Sequence, residues 1–274
     1  MNFALLNNQL TEEKDLRLTN KNRGFLYGDG FFETIKIFNK KPFNLENHFD
    51  RIIYSADLLD IKFTLSVLDL NKSISILIEK NNIKSGSVRI SVYRNSKGKY
   101  FPVENASSIL INSRNDINDV FVDRSFINIG YYKENLKSPS PLSNLKSLNS
   151  LLYVMASKYA KEYNFDDIIL FNTNNNIIET TNSNLFILNY NKVITPPLKD
   201  GCVDGSMRKL LISIIKNKYE FEEESISEND LDTCSEVILS NSTYGVRGIK
   251  KINEVTYNNS NLYKYLINSL NNLI

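Results

Sequence analysis

Apolar residues along this chain switch repeatedly between alternation and a spacing of three or four, and the switches mark out the elements. Phe3 to Leu10 reads as a short strand, followed by the charged turn Thr11-Glu12-Glu13-Lys14-Asp15. Phe31 to Phe38 reads as a strand ending in a hairpin turn at Asn39-Lys40-Lys41-Pro42. Leu45, Phe49, Ile52, Ile53, Ala56 and Leu59 recur at helical spacing, which predicts a helix over 45–59 with His48 and Arg51 as neighbours on one face. A second helix is predicted over 67–79. Val88 to Arg94 alternates as a strand with Arg89, Ser91 and Tyr93 on one face, and Ser108 to Asn112 reads as another strand.

Arg114 to Asp119 is polar and lacks periodicity, so a link is expected there: a first domain over 1–115, a linker at 116–119 and a second domain over 120–274. Beyond it, Phe126 to Tyr131 is strand-like. Leu148, Leu151, Leu152, Met155, Ala156 and Tyr159 have the spacing of a buried helix stripe beginning at Ser147. Strands over 167–171, 177–180, 184–188 and 192–195 are separated by Asn-rich turns and predict an antiparallel meander. An amphipathic helix over 206–218, a strand over 236–240 and a terminal helix over 261–273 complete the pattern. The fold class is α+β, with two domains and no internal repeat.

Composition narrows the chemistry. The 274 residues carry 33 basic and 31 acidic side chains, well mixed, for a net charge of +2, which leaves no electrostatic footprint for nucleic acid or an anionic membrane. No run approaches the roughly 18 apolar residues of a membrane span. The N-terminal residues lack the pattern of a secretory leader, so a cytoplasmic protein is expected. Cys202 and Cys234 are isolated, make no paired metal motif and are expected to remain thiols. His48 is the sole histidine, which argues against Ser-His or Cys-His nucleophile pairs and histidine-rich zinc sites. What remains is chemistry by Lys, Arg, Glu, Tyr and backbone N–H groups, with an organic cofactor as a source of reactivity.

Four positions fit that chemistry. Lys146 sits among Ser, Asn and Leu with its nearest acids in sequence at Glu134 and Glu162, just ahead of the predicted helix, where unpaired N–H groups disfavour a second cation. A lysine so placed loses its proton more easily, as a Schiff-base or general-base lysine must; the plain alternative is a solvated loop lysine. Glu179, followed by Thr180-Thr181-Asn182-Ser183-Asn184, is of the type that holds a protonated ring nitrogen beside an anion site, or else an ordinary edge turn. Gly205-Ser206-Met207-Arg208 opens a helix and suits a phosphate, or simple capping. Arg51 suits the same anion, or a local pair with Asp50 or Glu46.

Five ordered blocks together resemble the class IV pyridoxal-phosphate aminotransferase family, of fold type IV, across essentially the whole chain. They are Arg23-Gly24-Phe25 with Gly28-Asp29-Gly30-Phe31-Phe32-Glu33-Thr34; His48 with Arg51; Lys146-Ser147-Leu148-Asn149; Glu179 to Phe186; and Gly205 to Arg208 with Glu236 to Ser242. The resemblance implies a small N-terminal α/β domain, a larger domain with a barrel-like sheet, a homodimer, and pyridoxal 5'-phosphate as cofactor. It implies that Lys146 carries the cofactor and acts as the catalytic base, that Glu179 partners the pyridine nitrogen, and that Arg51, Asn182, Ser206, Met207 and Ser242 hold the phosphate. No metal is implied.

Within the family, branched-chain aminotransferases usually carry a Tyr five residues after the lysine, where Leu151 stands here. D-amino-acid aminotransferases usually have a Tyr at the place of Phe32, and an Arg-x-His carboxylate trap where Lys97-Gly98-Lys99 stands. The motifs are closest to 4-amino-4-deoxychorismate lyase, through Phe32, the basic Arg89, the Gly98-Lys99-Tyr100 loop, Gly205 to Arg208 and Asn241. Lysine at 99, arginine at 89 and the residues after Asn241 depart from its pattern. The expected function is release of pyruvate and 4-aminobenzoate in the folate branch, with Phe32, Arg89, Lys97, Lys99 and Tyr100 facing a small-molecule amine. The alternatives are a D-amino-acid or branched-chain aminotransferase, or an idle cofactor-binding dimer.

Overall fold

Asn7 and Asn8 take positive φ values of 50° and 65°, and so fold what reads as one strand into a hairpin of β1 (Phe3–Leu6) and β2 (Gln9–Glu12). The structure, a computed structural model, describes residues 2–123, 126–258 and 260–274. Its contacts group the chain into two compact units. One runs to Val120 and includes Lys146–Asn149; the other comprises Phe121–Leu145 and Ser150–Ile274.

In the first unit the stretch Arg23 to Gly30 is part helix. Its first half is the short helix α1 (Arg23–Tyr27), capped by the Asn22 side chain accepting from Phe25 N, and it stops at Gly28 with φ +64°. β3 (Gly30–Phe38) turns through Asn39 and Lys40, both at positive φ, into β4 (Lys41–Pro42). Then come α2 (Leu45–Leu58), α3 (Val67–Lys80) with a Ser66–Asp69 capping box, β5 (Ser85–Arg94) and β6 (Ser107–Asp116). Among the described residues they form a six-stranded sheet in the order β2-β1-β6-β5-β3-β4. Arg114 to Asp116, expected to begin a link, belong to β6: Asp116 lies opposite Ser85 and accepts from the buried Lys36 Nζ at 2.6 Å. Ile52, Leu70, Ile74 and Leu77 of the helices pack with Ile35, Val88, Ile90 and Val92 of the sheet. Each such side chain contributes about 1.5–3 kcal/mol by leaving water.

An ionic group of three side chains lies in this unit's interior. Glu33 of β3, 1% exposed, accepts from Arg51 Nε and Nη2 at 2.5 and 2.7 Å and lies 2.6 Å from His48 Nδ1. Burial would raise the Glu33 carboxyl, but the Arg51 and His48 charges and their hydrogen bonds hold it well below the usual carboxylate range. Burial pulls His48 downward, against the pull of Glu33.

The second unit contains β7 (Ile127–Lys137), α4 (Leu151–Glu162), β8 (Asp167–Asn172), β9 (Ile177–Thr180), β10 (Asn184–Asn189) and β11 (Lys192–Thr195). After them come α5 (Ser206–Ile215), β12 (Glu220–Glu223), α6 (Glu228–Thr233), β13 (Glu236–Asn241), β14 (Gly245–Ile252) and α7 (Asn261–Asn271). The strand path β10-β13-β14-β7-β8-β9 is closed by a pairing of β9 with β10, Asn184 opposite Glu179, so six strands of the described residues make a barrel. The alternation of β8 explains why it reads as a continuous apolar run. Ile169 and Phe171 join one core with Ile129, Leu185 and Leu239, while Ile168 and Leu170 join a second with Ala156 and Ala160 of α4. The elements are α+β, with the barrel-like sheet expected of the larger domain.

Two local expectations are corrected. α4 begins at Leu151, not Ser147, because residues 146–148 are drawn out beside β3: Phe32 N donates to Lys146 O at 2.9 Å and Leu148 N donates to Gly30 O at 3.1 Å. The helix also rests on its small residues. Ala156 and Ala160 are buried, whereas Leu151 is 67% and Met155 40% exposed. Among the described residues no helix is long and apolar enough to cross a membrane.

Two outcomes follow from the first unit. Glu33 and His48 both have folded-state affinities for protons below those of the unfolded chain, so each contributes stability that is lost on acidification, His48 from about pH 6.5 downward and Glu33 from about pH 4.3 downward. E33Q is expected to cost about 3–5 kcal/mol near neutral pH and to remove the Glu33 part of that acid dependence while deepening the His48 part, since Glu33 is the group that raises His48, measured by denaturant unfolding across pH. At Gly30 a Cβ would come within 2.2 Å of Val92 O. G30A should therefore lower stability by about 1–3 kcal/mol and reduce hydrogen-exchange protection of the Phe32 and Leu148 amides.

Candidate active site

Lys146 is half-buried, and its backbone is held by the pairing to β3 rather than by a helix end. The expected unfavourable field of a helix N-terminus beside it is thus replaced by a different surrounding. Its Nζ lies 4.9 Å from the centre of the Phe32 ring, and its charge adds to the burial that lowers His48. Two neighbouring glycines leave room for this segment. A Cβ on Gly28 would touch Asn149 at 3.1 Å, and one on Gly30 would meet Leu148 at 2.9 Å.

Phe32 serves a second cation. The Arg89 guanidinium stacks on the same ring, with Cζ 3.7 Å from its centre. The register explains this: Phe32 of β3 lies opposite Ser91 and Thr34 opposite Arg89, so Phe32 and Arg89 are diagonal neighbours across the ladder. The structure therefore brings Lys146, Phe32 and Arg89 together. Lys97, Lys99 and Tyr100 lie on the excursion between β5 and β6, all exposed, with Tyr100 at 87%. Arg51 belongs to the Glu33 cluster described above; its partner is this carboxylate from β3, not the Asp50 or Glu46 of its own helix.

The second unit holds the other expected site residues. Glu179, 3% exposed, accepts from Lys137 Nζ at 2.7 Å and Tyr153 OH at 2.8 Å on Oε1, and from Val203 N at 2.8 Å on Oε2. Lys137 also donates to Ser143 O and Tyr153 OH. Burial and the Glu179 charge raise the Tyr153 hydroxyl well above its ordinary value, so it remains a donor. Burial likewise pushes the nearby Cys202 thiol up to about 12. Three residues beyond Val203, α5 opens at Ser206 behind Gly205 with no side-chain cap, and Ser206 Oγ lies 3.1 Å from Ser242 Oγ. Met207 is buried in this first turn. Asn182 is tied down by Asn241 Nδ2, which reaches both its carbonyl and its Oδ1, and by Ser183 Oγ.

This donor set fits a phosphorylated pyridine. The buried Glu179 carboxylate is bound by Val203 N, and the uncapped ten-residue helix starts three residues later at Ser206, so roughly 10 Å of backbone at most separates that contact from the helix mouth. The carboxylate suits a protonated ring nitrogen, and the helix N–H groups with the Ser206 and Ser242 hydroxyls suit a phosphate. Gly205 is required at that mouth, since a Cβ would fall 2.0 Å from Asn184 Oδ1. Lys137 and Tyr153 were not among the residues expected from the sequence. Their partner lies 42 and 26 positions away, and no local spacing encodes such a contact.

The sequence pattern of the family described as amino-transferase class IV matches residues 30–252. A D-alanine aminotransferase of Staphylococcus epidermidis is 24% identical over 256 residues, covering 92% of this chain and 89% of that protein. A Legionella pneumophila structure provisionally assigned as 4-amino-4-deoxychorismate lyase shares 27% identity and a TM-score of 0.88, covering 96% of this chain and 97% of that one. The T.th. branched-chain amino acid aminotransferase, solved with pyridoxamine 5'-phosphate, is alike in fold, with a TM-score of 0.88 at 16% identity over 100% of this chain and 95% of its own. With four-fifths of its length matched by the family pattern and a site suited to the cofactor, the chain belongs to the class IV aminotransferases and is a pyridoxal-phosphate-dependent enzyme.

Proposed function

We propose that this enzyme is a 4-amino-4-deoxychorismate lyase, releasing pyruvate and 4-aminobenzoate. The observation that carries the reading is the sharing of Phe32 by Lys146 and by Arg89, a guanidinium that forms no ion pair among the described residues. A cation beside the reactive lysine suits an anionic group on the amine. Lys97 and Lys99, also without ion pairs among the described residues, suit a second one, and the proposed substrate carries two carboxylates. Leu151 in place of a tyrosine and Lys97-Gly98-Lys99 in place of an Arg-x-His trap speak against the two commoner transaminase types.

When bound, pyridoxal phosphate supplies an electron sink for the carbon that carries the amino group. Glu179, held by Lys137, Tyr153 and the Val203 amide, would keep the ring nitrogen protonated, while Arg51, Asn182, Ser206, Met207 and Ser242 would hold the phosphate. Lys146 would hold the cofactor and would serve as base. It takes the proton from the carbon bearing the amino group, the bond to the enolpyruvyl oxygen breaks, and aromatisation drives the loss. The enolpyruvate released takes up a proton to become pyruvate. The working enzyme is a cytoplasmic homodimer in this reading.

A D-alanine aminotransferase is the second reading, supported by the curated relatives of that activity at 24–26% identity. One assay separates the two. Incubation with 4-amino-4-deoxychorismate and no keto acid should release pyruvate and 4-aminobenzoate in equal amounts; turnover of D-alanine only with 2-oxoglutarate, and none of the former, selects the transaminase. K146A should abolish the visible absorption of the bound cofactor and slow turnover by about 10²–10⁴-fold. Full activity in K146A would remove both readings.

A further inference from the structure

The segment between β5 and β6 turns its side chains outward. Tyr100 and Phe101 are 87% and 85% exposed, and Lys97, Gly98 and Lys99 are exposed as well, so side-chain burial does not hold its shape. Its backbone is held from beneath by Arg23, which is 4% exposed. Arg23 Nη1 donates to Gly98 O at 3.1 Å and Lys99 O at 2.5 Å, Nη2 donates to Tyr100 O at 3.4 Å, and Nε donates to Asp29 Oδ2 at 2.7 Å.

Asp29 is itself shared. Arg94 Nε donates to it at 3.1 Å, and the remaining Arg94 donors go to Leu59 O, Asp60 O and Asn105 Oδ1. Two buried guanidinium groups thus meet on one carboxylate and turn their outer edges to carbonyls. Gly98, at φ +99°, completes the turn, since a Cβ there would lie 2.2 Å from Phe101 O. The Arg23 guanidinium also covers the Tyr27 ring at 4.9 Å, and that ring lies 5.6 Å from the ring of Tyr100.

From this we infer that Arg23 is a positioning residue for substrate, presetting Lys99 and Tyr100 by gathering three consecutive carbonyls of their loop on one guanidinium. The inference rests on the reading, given above, that this loop faces the substrate. Carbonyls in succession along a turn diverge, and a planar fork of five donors reaches several of them at once; a lysine ammonium is a single point. Because Arg23 binds backbone, the loop side chains stay available to a ligand. Their ordering is then completed before binding, so losing it weakens substrate capture rather than chemistry at Lys146.

The test uses R23M and R23K in the cofactor-loaded enzyme, with 4-amino-4-deoxychorismate, or D-alanine if the preceding assay selects it. KM should rise about tenfold or more while kcat changes by less than about twofold and the visible cofactor band is unchanged. Native-state trypsin should cut after Lys97 or Lys99 about tenfold faster than in the parent enzyme. G98A disturbs the loop from its own side, leaves Arg23 in place, and should give the same rise in KM alone, which keeps the test available if the Arg23 variants fail to fold. K99A/Y100A is the reference. A raised KM there with an unchanged KM in R23M and G98A overturns the inference alone. An unchanged KM in K99A/Y100A overturns the substrate-loop reading and the inference with it. Loss of the cofactor band and of kcat in well-folded R23M overturns the positioning role.

Discussion

Two backbone hydrogen bonds place Lys146. Phe32 N donates to Lys146 O and Leu148 N to Gly30 O, and together they add residues 146–148 to β3 as a short antiparallel neighbour. Backbone pairing of this type depends on close approach, which the glycines at 28 and 30 permit and which a Cβ at either would obstruct. The same strand supplies Phe32 to the Lys146 ammonium, Glu33 to Arg51 and His48, and pairing to β5 that brings Arg89 over Phe32. Alternation along β3 separates these duties. Phe32 and Glu33 point to opposite sides of the sheet, so a ring that meets the lysine and a carboxylate that neutralises a buried arginine sit on adjacent residues without competing.

Three acidic groups of this protein, Glu33, Asp29 and Glu179, are each held by several donors. Glu33 takes two bonds from Arg51 and a third contact from His48; Asp29 takes Arg23 and Arg94; Glu179 takes Lys137, Tyr153 and a backbone amide. An ion withdrawn from water costs several kcal/mol unless its partners replace the lost hydration, and pairs of this type fix geometry more than they add stability. That is the service a cofactor enzyme needs from them. The two oxygens of Glu179 share three donors, and the residue stands at the closing seam of the barrel, opposite Asn184. There the sheet itself limits how far the carboxylate can move.

The barrel and the six-stranded sheet use alternation differently. β8 is buried along its whole length, with one face toward the barrel interior and the other under α4, so its residues are apolar without a break from Ile168 to Phe171. β5 alternates until Tyr93 because one face packs on α2 and α3 while Arg89 on the other reaches out to Phe32. The loop that follows takes its form from an ionic anchor rather than from a core. A loop made in this way keeps its side chains exposed while its backbone is ordered.

Much of the architecture was legible in the sequence because it is local. Helix spacing located α2, α3, α5 and α7 to within a few residues, alternation and Asn-rich turns located β8 to β11, and the ordered motifs around Gly28, Lys146, Glu179 and Gly205 led to the family. What failed was whatever depends on a distant partner. Residues 147–150 carry helical spacing yet lie outside the helix, because pairing of 146–148 with β3, more than a hundred positions earlier, outweighs their local preference. Arg114 to Asp116 read as a link and became strand, because Ser85 and Lys36 supply partners that polar composition does not reveal. Residue types and motifs marked Lys146, Glu179 and Arg51 as the candidate reactive set. Only the tertiary structure decided what surrounds them, the Phe32 ring, the Lys137 and Tyr153 donors and the Glu33 carboxylate, since electrostatic environment is set by distances in space and not by separation along the chain.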